Sequence, residues 1–203
     1  MRWTMIILGS VAGLVLAVGL SELATRRPSI PDAHLISDAH GALAEICIQY
    51  RKDFNPAVIE TLSDLIGGLA DDLDIRIIVE ERTEFEFLKG ELARRGVTRL
   101  GRLTAVVTGF SITPWARDRF GAMTAGRGTI IAVPPVRSNM PGPRGHDEQV
   151  PEILAASLAG ASCLSLPFMF EGGDLLADEN NAFISANCLA RNSPRDIDDR
   201  QGL

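Results

Sequence analysis

From Leu43 onward the chain alternates short β-rich runs with segments of helical period. That alternation constrains it to a layered α/β fold around one substantial core. Ile46 to Tyr50 reads as a strand. Asn55 and Pro56 then signal a helix start, and Val58, Ile59, Leu62, Leu65, Ile66 and Leu69 recur at the spacing of one helix face. Ile75 to Val79 is expected as a second strand. Thr83 to Arg95 is expected as a charged, solvated helix that buries Phe85, Leu88 and Leu92 and is capped by Gly96. Leu103 to Thr108 reads as a third strand, and Gly121 to Met123 with Thr129 to Val133 as a hairpin. Pro134 to Pro151 reads as a Pro/Gly-rich loop, Ile153 to Leu158 as a helix and Cys163 to Pro167 as a strand. Two short runs follow, Leu175 to Ala177 and Ala182 to Ser185.

The amino terminus follows a different rule. Trp3 to Ser21 carries no charge and is rich in Ile, Leu, Val, Gly and Ala. As a helix rising about 1.5 Å per residue it would span roughly 30 Å, so it reads as a transmembrane helix or a secretion signal. Ala17-Val18-Gly19 is a poor cleavage site, which favours an uncleaved single-pass anchor over export after cleavage. Positive charge on both sides leaves the orientation open. The expected organisation is an anchor or signal over 1–27, a linker over 28–42 and a folded domain over 43–203.

Bulk properties narrow the function classes. With 203 residues, 46% hydrophobic and 23% charged, the chain is an ordinary globular composition, not a disordered one. A formal net charge of −6 with no basic stripe argues against nucleic acid as a partner. Cys47, Cys163 and Cys188 are too widely spaced for a metal site, and their odd number closes no disulfide framework. Cys47 and Cys163 read as small buried hydrophobes, although one pair of cysteines could bridge in an exported protein. No metal or organic cofactor is expected.

Two blocks carry the chemistry: Trp115-Ala116-Arg117-Asp118 and Phe170-Glu171-Gly172-Gly173-Asp174. A guanidinium is a flat cation with forked donors, so holding it calls for carboxylates at its donor edges and an apolar plane nearby. Asp118 and Glu171 meet that need. Gly172 and Gly173 permit positive φ and close backbone approach at a tight turn, and Asp174 can cap or orient it. Trp115 either stacks beside the site or packs into the core. Either block alone reads equally well as a surface turn. Both together, in this order and each before a hairpin, favour a site.

The two blocks resemble signatures of the guanidino-group-modifying superfamily, the penteins, which includes agmatine deiminase, arginine deiminase, peptidylarginine deiminase and the amidinotransferases. Ala182 to Asn192 resembles a stretch of agmatine deiminases in which Cys188 matches a position that is not the nucleophile, so Cys188 reads as structural. The resemblance covers roughly Leu43 to Asn192. It implies a partial α/β propeller of about two strand-helix-strand-strand units, with Asp118 and Glu171 gripping the substrate's guanidine nitrogens. The expected ligand is a guanidinium-containing small molecule or an arginine side chain.

The family's chemistry uses a late Cys thiolate and a His block, and neither is matched here. His146, in Gly145-His146-Asp147, precedes Glu171 where the family's His block follows it, and reads as an exposed loop histidine. The resemblance therefore implies the amino-terminal part of a deiminase-like hydrolase of guanidine or amidine C–N bonds, catalytically inert by itself. A non-catalytic membrane-anchored remnant that binds a cationic ligand or partner, and an amidinotransferase fragment, are the alternatives. Uncovered strand edges would favour self-association.

Overall fold

The computed structural model describes residues 33–36, 44–53, 55–125, 128–135, 142–178 and 180–192. All of these but Ala33 belong to one compact unit, His34–Leu203. The apolar stretch Trp3 to Ser21 lies outside the described residues. Among those that are described, no helix is long and apolar enough to cross a membrane.

The first layer is a parallel sheet of β2 (Glu45–Gln49), β3 (Asp74–Val79) and β4 (Leu103–Val107), with β3 in the middle. Strand β3 is Asp-Ile-Arg-Ile-Ile-Val, nearly continuous in β-branched residues, as a central strand covered on both faces requires. Ile75, Ile77 and Val79 point to one face. There they meet Leu62 and Ile66 of helix α1 (Ala57–Gly68) and Phe85, Leu88 and Leu92 of helix α2 (Arg82–Arg94). Ile78 points to the other face and joins Val106, Ile112, Val150 and Leu154. Each fully buried aliphatic side chain contributes about 1.5–3 kcal/mol relative to exposure, so this two-sided packing is the principal source of stability.

Local signals set the helix ends. Asn55 Oδ1 accepts the N–H of Ala57 at 3.0 Å and opens α1. Helix α2 ends in a Schellman arrangement: Gly96 takes φ +85°, its N–H donates to Ala93 O, and Val97 N–H donates to Leu92 O, both at 3.0 Å. Val97 and Leu92 are both buried in the same cluster, so the cap is also a packing contact.

The second sheet has the order β1-β5-β6-β7: β1 (Ala33–Leu35), β5 (Gly121–Ala125), β6 (Gly128–Val133) and β7 (Ala161–Ser165). Strands β5 and β6 form the expected antiparallel hairpin, and β7 returns parallel to β6 after helix α4 (Val150–Ser157). A third, two-stranded sheet pairs β8 (Leu175–Ala177) with β9 (Ala182–Ile184), followed by helix α5 (Ala186–Asn192). The fold is mixed α/β, with no closed barrel among the described residues.

Several local expectations are revised. The segment read as a linker contributes β1, and Ile36 N–H donates to Ala122 O at 2.9 Å. The described part of the Pro/Gly-rich loop holds a short helix α3 (Pro143–His146) and a 3₁₀ turn (Asp147–Gln149), which runs into α4. The strand read over Ala182 to Ser185 stops at Ile184, and the segment after it, which the sequence left without a helix, forms α5. Ser185 caps that helix, its Oγ accepting Cys188 N–H at 3.1 Å, a side-chain bond the strand pattern does not announce.

Candidate functional site

The two acidic blocks meet where three turns converge. Residues Ala116–Arg119 form a 3₁₀ turn between β4 and β5, and Gly172–Asp174 form another just before β8. The segment running from α3 through Asp147 packs beside them. Each carboxylate is about one-quarter exposed, 27% for Asp118 and 26% for Glu171, so they line an accessible surface without being freely solvated.

Asp118 and Glu171 converge on one flat cation, and it belongs to the chain itself. Arg144 Nη2 lies 3.2 Å from Asp118 Oδ2 and 3.7 Å from Glu171 Oε1. On the far side, Arg191 Nη1 lies 3.6 Å from Glu171 Oε2, and Arg191 also pairs with Asp174. The Asp118 carboxyl is held above the usual carboxylate range. Burial is the first cause and repulsion from Glu171 the second, and together they outweigh the opposing pull of Arg144 and Arg119. The acids are close enough to repel, and the neighbouring guanidinium does not cancel that repulsion.

Asp174 has a structural job. Its carboxylate accepts Glu171 N–H at 2.8 Å and Ser185 Oγ–H at 2.5 Å, and it pairs with Arg191. Glu171 and Asp174 thus form a capping box across the turn. This corrects the reading of Gly172 and Gly173. Neither is among the positive-φ glycines, because the capped turn is right-handed 3₁₀. Gly172 is buried, while a Cβ at Gly173 would meet nothing within 4 Å. Trp115 is 51% exposed and so is not a core residue; Asp118 N–H donates to its carbonyl at 3.2 Å.

Several residues that build the site escaped the sequence reading. Asp147 is 1% exposed and accepts Thr113 N–H at 2.8 Å and Thr113 Oγ1–H at 2.5 Å. Gln49, also buried, donates to Thr113 O at 2.8 Å. This network pins the segment leading into Trp115 and Asp118. Asn192 does the same for the second block: its Oδ1 accepts Met169 N–H at 2.6 Å, and its Nδ2 donates to Met169 O at 2.6 Å and Cys188 O at 2.7 Å. His146 is exposed, with Nδ1 3.1 Å from Ser111 O and its ring edge-on to Phe110. Among the described residues no group of three or more His, Cys, Asp or Glu is placed to hold a metal.

The cysteines lie apart from this chemistry. Cys188 is buried, with its thiol 3.4 Å from Met169 O. Burial pushes the Cys47 thiol up to about 11 and raises that of Cys188; Cys163, expected to be buried, is exposed on β7, and partial desolvation and then Glu152 raise its thiol.

No protein-family model matches the chain, and no curated protein is similar to it. Solved structures are similar. One is a Porphyromonas gingivalis protein assigned as an arginine deiminase, with a TM-score of 0.59 and 16% identity over 79% of this chain and 49% of its own. Another is the agmatine deiminase of C. jejuni, at 0.56 and 14% over 78% of this chain and 48% of its own. A third, assigned as a peptidyl-arginine deiminase, gives 0.57 and 14% over 81% and 49%. The chain spans about half the length of these structures, and over that half its mixed α/β fold is similar to theirs.

Proposed function

We propose that this chain carries the guanidinium-recognising carboxylates of an agmatine deiminase-like hydrolase acting on guanidine or amidine C–N bonds. Asp118 and Glu171 hold the donor edges of the ligand, and Trp115 flanks it. The observation that carries this reading is the pair's grip on Arg144: two acids from separate turns already meet at a single guanidinium. The deiminase-like fold supports it.

We propose also that the chain is inert by itself. Attack on a guanidine carbon needs a thiolate, and all three thiols here are shifted away from that form, Cys47 and Cys188 by burial and the exposed Cys163 by partial desolvation and Glu152. The same observation favours, as a second reading, a non-catalytic protein that uses the acids to bind a cationic ligand. The uncharged stretch Trp3 to Ser21 would anchor either form at a membrane. Recovery of the protein in the soluble fraction after alkaline extraction would refute the anchor.

The central test is calorimetric titration of the full chain with methylguanidinium and agmatine. Losing one charge-assisted contact at each carboxylate in Asp118→Asn/Glu171→Gln should weaken binding by about a hundredfold or more, at about 1.5–3 kcal/mol per contact. Unchanged binding in that variant would refute the site. Release of ammonia from agmatine by the purified chain would refute its inertness.

A further inference from the structure

We propose that Arg144 is a tethered competitor for the carboxylate pair, so that a guanidinium ligand binds by displacing it; the inference rests on the reading of Asp118 and Glu171 given above. Both contacts run through the single nitrogen Nη2, at 3.2 Å to Asp118 and 3.7 Å to Glu171. Arg144 therefore sits across the two acids without placing a parallel pair of donors on either one. A free guanidinium can present a full edge to Asp118, which is the stronger arrangement, and a donor to Glu171 Oε1, whose other oxygen faces Arg191. The Arg144 side chain is also 42% exposed, more than either acid it touches, so its contacts are those of a solvent-accessible pair and are modest in strength.

The backbone shows how the side chain can leave. Downstream of Arg144 the segment is held: His146 Nδ1 lies 3.1 Å from Ser111 O, and Asp147 is buried against Thr113. Just upstream, Gly142 takes φ +58° and turns the chain into α3. With its helix held, Arg144 vacates the acids by rotating its own side chain, and the acids stay where the 3₁₀ turns hold them.

Displacement has consequences that a structural brace does not. A tethered occupant lowers apparent affinity by the fraction of time it holds the site, so its removal strengthens ligand binding. For two modest, partly exposed ion pairs the expected gain is about 3- to 30-fold. The Nε–H signal of Arg144 should also move to its solvent position as ligand saturates the site.

The experiment compares the full chain with Arg144→Gln, Arg144→Lys and Asp118→Asn/Glu171→Gln. Methylguanidinium is the probe, followed by calorimetry and by arginine Nε–H NMR, with the Arg144 signal assigned from its loss in Arg144→Lys. Tighter binding to Arg144→Gln, together with a wild-type Arg144 signal that shifts along the same binding curve, supports displacement. Equal affinity in Arg144→Gln, or an Arg144 signal unmoved at saturation, overturns it while leaving the carboxylate site standing. Wild-type affinity in the double carboxylate variant overturns the site and the competitor together.

Discussion

Removing the Asp147 carboxylate should loosen the whole segment that presents Trp115 and Asp118. Asp147 is 1% exposed and accepts the backbone N–H of Thr113 at 2.8 Å and its hydroxyl at 2.5 Å. Hydrogen bonds to a charged group contribute about 1.5–3 kcal/mol each, and burial of the carboxylate offsets part of that. Asp147→Ala strands both donors and should therefore cost about 2–4 kcal/mol. Asp147→Asn keeps one acceptor for the Thr113 N–H, and the hydroxyl can turn to accept from the new amide, so it should cost about 1–2 kcal/mol. Urea unfolding at neutral pH, followed by circular dichroism, gives these differences directly. A double-mutant cycle with Thr113→Val should show coupling of about 1–2 kcal/mol, because both changes remove the same bond. A cost below about 1 kcal/mol for Asp147→Ala, or strict additivity with Thr113→Val, would refute the assignment of this network as the site's anchor.

Two further outcomes follow from groups in uncomfortable surroundings. Because the Asp118 carboxyl is raised in the folded chain, it binds protons more tightly there than when unfolded, so its charged form destabilises the fold at high pH. That penalty is complete above the raised value and fades as pH falls toward the unfolded value of about 4. Asp118→Asn should therefore raise the melting temperature at pH 8, with the difference closing toward pH 4, and a lower melting temperature at pH 8 would contradict this. Tyr50 is 1% exposed, and its hydroxyl has no hydrogen-bond partner among the described residues; burial first, then Glu84, Glu91 and Asp53, push it up to about 12. Tyr50→Phe removes that buried, unsatisfied group and should gain about 1 kcal/mol, seen as a higher urea midpoint; a lower midpoint would indicate a partner for the hydroxyl.

Legibility in the sequence followed the range of the interactions. Strands β2, β3 and β4 and helices α1 and α2 were readable within a few residues, because periodicity and caps act over one or two turns. The β5–β6 hairpin and the three short strands after it were readable for the same reason. The glycine reading failed at Gly172 and Gly173, where a reciprocal bond between Glu171 and Asp174 imposes an ordinary 3₁₀ turn. Strand β1 was missed because three residues carry too little pattern to stand out from a proline-bearing segment.

Local patterns in the chain were enough to set the layered α/β architecture and to single out two acids suited to a guanidinium, since strand and helix period, turn chemistry and carboxylate character are local properties. That Asp118 and Glu171 meet was settled by long-range packing. The same packing decided that Arg144, from helix α3, 26 residues beyond Asp118, lies between them, and that Asp147 and Asn192 brace the two blocks from behind. Those contacts join segments far apart in the chain, and their partners are chosen by the packing of sheets and helices rather than by any pattern around the residues themselves.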